Sequence, residues 1–374
     1  MRHIGRMGRF FASILFLAAC GDNLGIQGED PGIDPTGGNV TDPLPRLVPE
    51  VCGFAQWTTV TNADPALQTS VVQRPYGATI LAVPRNGGTM TGFAIDDRMN
   101  LMTDPNGTKV LTDATFSAVS ASVVDNRLLA TAVTADTTYV NLLNDDLTNP
   151  QLVAKLPGSF IAQPAFLRAD SQTVIAVGGP DGVNMTQFDN SWAQVQSKLV
   201  GPSKPVSGLA ATQYGSAVLA AWSTVSNECY VQMFAALTPG TQSHTTFACN
   251  APRIAGDVAN STAKIVFEGA GNIRLMHVAH TQMGGDSVLL RPEGMSPRVV
   301  FDGNRYWVSY IDARGDVVVG YLDANNQLVS MGIVGPKPAH DAYELVMVDN
   351  HPWVFTTDPT NGYTAHRMCL TAGQ

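Results

Sequence analysis

The histidines His277 and His280 stand three residues apart, a spacing that on a helix would aim two imidazoles from one face at a shared metal ion. The flanking residues Ile273 to Ala279 read instead as a strand, where positions three apart face opposite sides, so a metal role loses its geometry. The five cysteines, Cys20, Cys52, Cys229, Cys249 and Cys369, contain no C-x-x-C pair, which excludes a zinc ribbon and a thioredoxin-like centre. The chain has no G-x-S-x-G elbow, no H-E-x-x-H, no Walker loop and no dinucleotide glycine pattern between a strand and a helix. With 22 basic against 31 acidic residues and a formal net charge of −9, it lacks the clustered Lys and Arg of a nucleic-acid groove. No catalytic constellation emerges.

The elements that would carry any site are strands. Of the 374 residues 44% are hydrophobic and only 14% charged, against about 25% charged in ordinary soluble domains, so a large core can be buried. From residue 51 onward short apolar runs recur after turn signals, and no stretch keeps a helical period over three turns. The centres of seven such runs, Ile80, Leu129, Ile175, Leu219, Ile265, Val308 and Val354, are spaced by a mean near 46 residues. A period of about 40 to 50 residues holding several strands is that of a β-propeller blade, a four-stranded sheet that covers its neighbour's apolar face.

The sixth unit reads as Arg298 to Phe301, Tyr306 to Ile311, Val317 to Leu322 and Leu328 to Val334, with Asp302-Gly303 and Asp323-Ala324-Asn325-Asn326 as turns. The seventh stops one strand short, and the strand-like segment at about 52–60 belongs to no other unit. The sequence therefore resembles propellers in which the N-terminal strand completes the last blade and removes the open edges. The expected fold is all-β: a seven-bladed propeller of four-stranded blades over residues 51–374, closed by that pairing, with the tryptophans packed mostly between blades.

Leaving Cys20 aside, four cysteines allow three pairings. Adjacent antiparallel strands set Cys369, late in the third strand of the last blade, across from Cys52 at the start of the closing strand, and Cys229, starting the third strand of unit four, against Cys249 at the end of its fourth. Disulfides Cys52–Cys369 and Cys229–Cys249 follow, in an oxidising compartment.

The first residues hold Arg2, Arg6 and Arg9 before an uncharged apolar run from Phe10 to Ala19, too short to span a bilayer as a helix. The run ends in Leu17-Ala18-Ala19-Cys20, which resembles the lipobox of bacterial lipoprotein signal peptides. The resemblance implies cleavage after residue 19, acylation of Cys20 (palmitate among its acyl chains) and a membrane contact through the lipid alone, at the cell envelope. Gly21 in place of an inner-membrane retention Asp leans towards the outer membrane. Residues 20–50, rich in Gly, Pro and acids, read as anchor and disordered tether.

Loops joining second to third strands gather on the propeller face that also carries the inter-blade loops. They hold Asp136, Asp181, Glu228, Glu268, Asp312 and Asp358 in units two to seven, and Arg85 in unit one. These are the candidate rim-binding residues. A ring of carboxylates could hold a hard cation, and no other cofactor is expected; Ca²⁺ added in calorimetry would then give binding heat and a raised melting temperature. Asp302-Gly303-Asn304-Arg305-Tyr306-Trp307 looks like the S-x-D-x-G-x-x-W turn of sialidase propellers but departs from it, with Asp and Gly adjacent and Val300 two before Asp302. The function expected is a monomeric, non-catalytic binding or scaffolding lipoprotein for a protein or glycan. Its alternative is an extracellular glycan-active hydrolase or lyase using rim carboxylates.

Overall fold

The computed structural model of the protein describes residues 47–57, 67–84, 87–104, 107–124, 126–158, 160–161, 165–167, 172–235, 238–244, 248–279, 287–335, 338, 343–358 and 362–372. The expected leader, Cys20, the expected tether as far as residue 46, Arg85 and His280 lie outside the described residues. Among the described residues every regular element is a β-strand, and the strands form seven separate antiparallel sheets, the blades of a propeller.

Blade 6 consists of Met295–Phe301, Tyr306–Ile311, Val317–Leu322 and Leu328–Gly335, hydrogen-bonded in that order from the axis outward. Its two middle strands are buried at all six positions each, and the second strand of blade 4, Ala217–Thr224, at all eight. A middle strand is covered on both faces by neighbouring blades, so the usual apolar alternation becomes a continuous apolar run. Outer strands have no such cover: Gln194–Val200 of blade 3 is exposed at every residue but the last. Blade 3 also differs at the axis, where Phe160–Ile161 and Ala165–Leu167 both pair with Gln172–Gly179 in place of one inner strand.

The core is a series of layers between blades. Trp222 of blade 4 packs on Val174 and Met185 of blade 3, Trp307 of blade 6 with Leu345 and Met368 of blade 7, and Trp353 of blade 7 with Ile80 and Phe93 of blade 1. All three indoles are fully buried. Trimming a large buried aromatic to Ala costs about 3 to 5 kcal/mol.

Hairpin ends share a local device. Asp96, Asp189, Asp312 and Asp323 each accept, on Oδ1, the N–H groups two and four residues ahead. The residue three ahead takes a positive φ, 69° at Met99, 63° at Trp192, 89° at Gly315 and 60° at Asn326. An aspartate at this position thus pre-forms the reversal from its own side chain.

Closure comes from the strand Leu47–Trp57, paired with Gly362–Ala372 as the outer strand of blade 7. It starts five residues earlier than the expected strand at 52–60, whose last three positions lie outside the described residues. Leu47 packs against the layer between blades 6 and 7, and its carbonyl accepts the Tyr321 hydroxyl at 2.9 Å. Pro49 is tolerated because this is an edge strand.

The structure joins Cys52 to Cys369 and Cys229 to Cys249, with Cα separations of 5.7 and 5.3 Å. Cys52 occupies a register shift between Val51 and Gly53, opposite the stretch where Glu50 pairs with Cys369. Cys249 corrects the expectation: the fourth strand of blade 4 ends at His244, and Cys249 sits just before the inner strand of blade 5, its N–H on the Asn227 carbonyl at 2.9 Å. The second bridge therefore pins the crossing from blade 4 to blade 5. The first spans 317 residues and the second 20, so loop-closure entropy ranks them at about 5 to 6 and about 3 kcal/mol as upper bounds. Replacing Cys52 and Cys369 by Ser should lower the urea midpoint more than replacing Cys229 and Cys249, a ranking that equilibrium denaturation checks directly.

Candidate functional site

The second-to-third-strand loops and the inter-blade loops do meet on one face: the Val225 N–H donates to the carbonyl of Pro205, which precedes blade 4. On this rim Asp136 and Asp181 are exposed at their turns, Asp136 accepting only the neighbouring Thr137 hydroxyl at 3.1 Å. Glu228 is occupied. Lys204 Nζ lies 2.7 and 2.5 Å from its two oxygens, and the Tyr230 hydroxyl donates to it at 3.1 Å. The hydrogen bond from Lys204 to Glu228 raises the Lys204 pKa. Both partners are partly exposed, so the pair adds little stability.

Asp312 holds its own turn and takes the Arg314 guanidinium through Nε and Nη2 at 3.1 and 2.9 Å. Glu268 is on the second strand of blade 5, Thr262–Gly269, not in the loop expected; it accepts the Ser296 N–H of blade 6. Asp358 ends the second strand of blade 7, and its side chain, like Arg85, lies outside the described residues. The rim acids do not converge: among the described residues no three His, Cys, Asp or Glu side chains come close enough to share a metal ion.

Electrostatics at the turns follow from this geometry. Burial pushes the Asp312 carboxyl up, but Arg314 and the turn N–H groups outweigh it and hold the pKa below the usual value. On the opposite face the same balance, with Asn100 as donor, holds Asp96 down, while the hydroxyls of Thr148 and Ser191 lower Asp146 and Asp189. Asp302 is likewise a turn former: Oδ1 accepts the N–H groups of Asn304 and Arg305, and Oδ2 the Trp307 indole at 2.7 Å. The stretch that looked like a sialidase turn is a hairpin end that fixes an inter-blade tryptophan.

His277 lies on the strand Asn272–Ala279, as read. Its Nδ1 is 2.8 Å from Nζ of Lys264, which also reaches Asn326 Oδ1 at 2.5 Å in the turn of blade 6 and lies over the Tyr306 ring. Lys264 is only 6% exposed, beside a cleft of about 490 Å³ that includes Arg305, Tyr321 and Asp323. Burial lowers its pKa to about 8, and burial with the Lys264 charge lowers that of His277. The signal for this residue was a lysine inside the apolar run Ala263 to Phe267.

Along the axis the inner strands enclose a cavity of about 420 Å³. Its charged wall groups are Arg253, Arg298 and Glu344, on blades 5, 6 and 7. Arg298 Nε is 3.3 Å from Glu344 Oε2, its Nη1 donates to the carbonyls of Ser296 and Pro297, and it stacks over the Tyr343 ring at 4.9 Å. The Tyr343 hydroxyl donates to the Ser296 carbonyl, and burial raises its pKa to about 12. Sequence reasoning missed these arginines, although Pro252-Arg253 and Pro297-Arg298 recur 45 residues apart.

Seven four-stranded blades closed by a strand from the other end of the chain define a seven-bladed β-propeller. No protein-family model matches the chain, and no curated protein matches its sequence. Solved structures match its shape. A chain of Kuenenia stuttgartiensis hydrazine synthase superposes with a TM-score of 0.62 at 14% identity, over 86% of this chain and 100% of that one. BamB from Moraxella catarrhalis gives 0.48 at 16% identity, over 80% and 85%. At such identity the first likeness is one of fold alone.

Lys264 makes stability depend on pH. Its folded pKa of about 8 lies below the ordinary lysine value of 10.5, so from pH 8 upward the unfolded chain holds the extra proton and stability rises with pH. Between pH 8 and roughly 9.5 this should contribute about 1 to 2 kcal/mol in urea denaturation, and Lys264→Met should remove that slope.

Proposed function

We propose that the chain is a non-catalytic binding propeller, held at the bacterial cell envelope by a lipid on Cys20 and recognising a protein or glycan through its rim. The observation that carries this reading is the polarity of the closing strand. Leu47–Trp57 pairs antiparallel with the third strand of blade 7, so it begins on the face opposite the rim. The chain ahead of Leu47 therefore joins the body on the face opposite the rim.

The rim chemistry supports binding over hydrolysis. A glycan-cleaving pair needs two carboxyl groups about 5 to 10 Å apart, one with its pKa raised so that it can donate a proton. On the rim the displaced carboxyl is that of Asp312, held downward, and Asp96, Asp146 and Asp189 on the opposite face are held down likewise. Lowered, hydrogen-bonded carboxylates suit fixed negative charges that steer a partner.

Two measurements test the reading. Metabolic labelling with an alkynyl palmitate should mark the chain and leave the Cys20→Ser variant unmarked. On a glycan array, and in cross-linking to envelope proteins, the rim variants Asp136→Arg and Asp181→Arg should lose the ligand. Asp97→Arg and Asp349→Arg, on the opposite face, should keep it. Release of sugar from an array glycan would instead establish the hydrolase.

A further inference from the structure

Counting back from the last pair of each inner hairpin, Arg253, Arg298 and Glu344 fall in one layer of the channel, four residues from the turn for Arg253 and Glu344 and three for Arg298. The equivalent positions on blades 1, 2 and 4 are Ser70, Ser120 and Ala210. Long charged side chains thus project from three neighbouring blades towards small residues on the other side, and the 420 Å³ cavity is the space between them.

The two guanidiniums of this layer are held differently. Glu344 pairs with Arg298, whereas the Arg253 side chain has neither hydrogen bond nor ion pair among the described residues. Two guanidiniums face one carboxylate in the cavity wall, with Glu268 of blade 5 also within electrostatic reach of Arg253. Arg298, with burial second, lowers the Arg253 pKa to about 10 against the opposing pull of Glu344, Tyr343 and Glu268, and leaves it charged at neutral pH. The Ser120 hydroxyl in the same wall is also buried without a hydrogen-bond partner. An unpaired guanidinium and a spare hydroxyl around an open space of this size form a set of donors awaiting acceptor oxygens.

We propose that the Arg253 and Arg298 layer of the channel binds a small oxyanion ligand, a carboxylate or phosphate group that seats between the two guanidiniums. Bound there, the anion supplies Arg253 with the partner it lacks and relieves the repulsion between the arginines. Charge-assisted hydrogen bonds in a protein-walled cavity are stronger than in water. This inference does not depend on what the rim recognises.

Titration calorimetry of the full chain in mild detergent tests it, using inorganic phosphate in one arm and succinate in the other, each up to about 10 mM and against NaCl of equal ionic strength. Saturable heat in either arm is the expected result, and the responding arm identifies the oxyanion class. Arg253→Gln should weaken that binding roughly tenfold or more. Glu344→Gln, which removes the competing carboxylate, should tighten it. Circular dichroism checks that each variant folds; should Glu344→Gln fail to fold, Arg253→Gln decides alone, since among the described residues its side chain makes no hydrogen bond or ion pair. No saturable heat from either anion, or unchanged binding by folded Arg253→Gln, overturns the proposal.

Discussion

The pairing of Leu47–Trp57 with Gly362–Ala372 is the constraint on which the rest of the structure depends. Each blade has apolar residues on both faces and can cover them only with its two neighbours. Without closure the layer holding Val71, Ile80, Trp353 and Phe355 between blades 1 and 7 would separate into two exposed apolar surfaces. Repeat arrays that stay open must end in specialised polar caps. Here the chain's own N-terminal strand completes the last sheet and makes caps unnecessary.

Much of the fold was legible because a strand buried on both faces is written as a continuous apolar run. The runs around Ile80, Ile265 and Val308 needed no periodicity argument, and the strands read for blade 6 match those observed to within a few terminal residues. The start of the closing strand was not legible, because Pro49 and Glu50 give Leu47–Val51 the same Pro- and acid-rich composition as the residues before it. Cys249 was assigned to a strand that ends five residues earlier, since nothing in Ala248-Cys249-Asn250 distinguishes a strand end from an inter-blade crossing. The rim acids were found, but an aspartate that builds its own turn has the same letter as one that awaits a ligand. The channel arginines were missed for a different reason: a charged residue on a strand reads as facing solvent, and only a closed ring gives that direction an inside.

Charge is distributed by depth. Asp96, Asp189, Asp312 and Asp323 sit half-buried at hairpin ends on both faces, where turn N–H groups stabilise them. The cations Lys264 and Arg253 are placed inward, one between blades and one at the axis. Burying a cation is unfavourable unless other groups compensate. For Lys264 they are visible, in His277, Asn326 and the Tyr306 ring. A molecule that is acidic overall therefore still carries cations in its interior.

The position of the Cys52–Cys369 bridge has a mechanical consequence. A pull on the chain ahead of Leu47 is carried first by the pairs from Leu47 with Ala372 to Val51 with Met368, which lie on the near side of the bridge. These can peel one at a time. Beyond them the load passes through a covalent bond into the third strand of blade 7, so the remaining pairs, Gly53 with Arg367 through Trp57 with Tyr363, carry little of it. Tension on such a tether can fray the edge of one blade, but it meets a covalent stop before it reaches the seam of the ring.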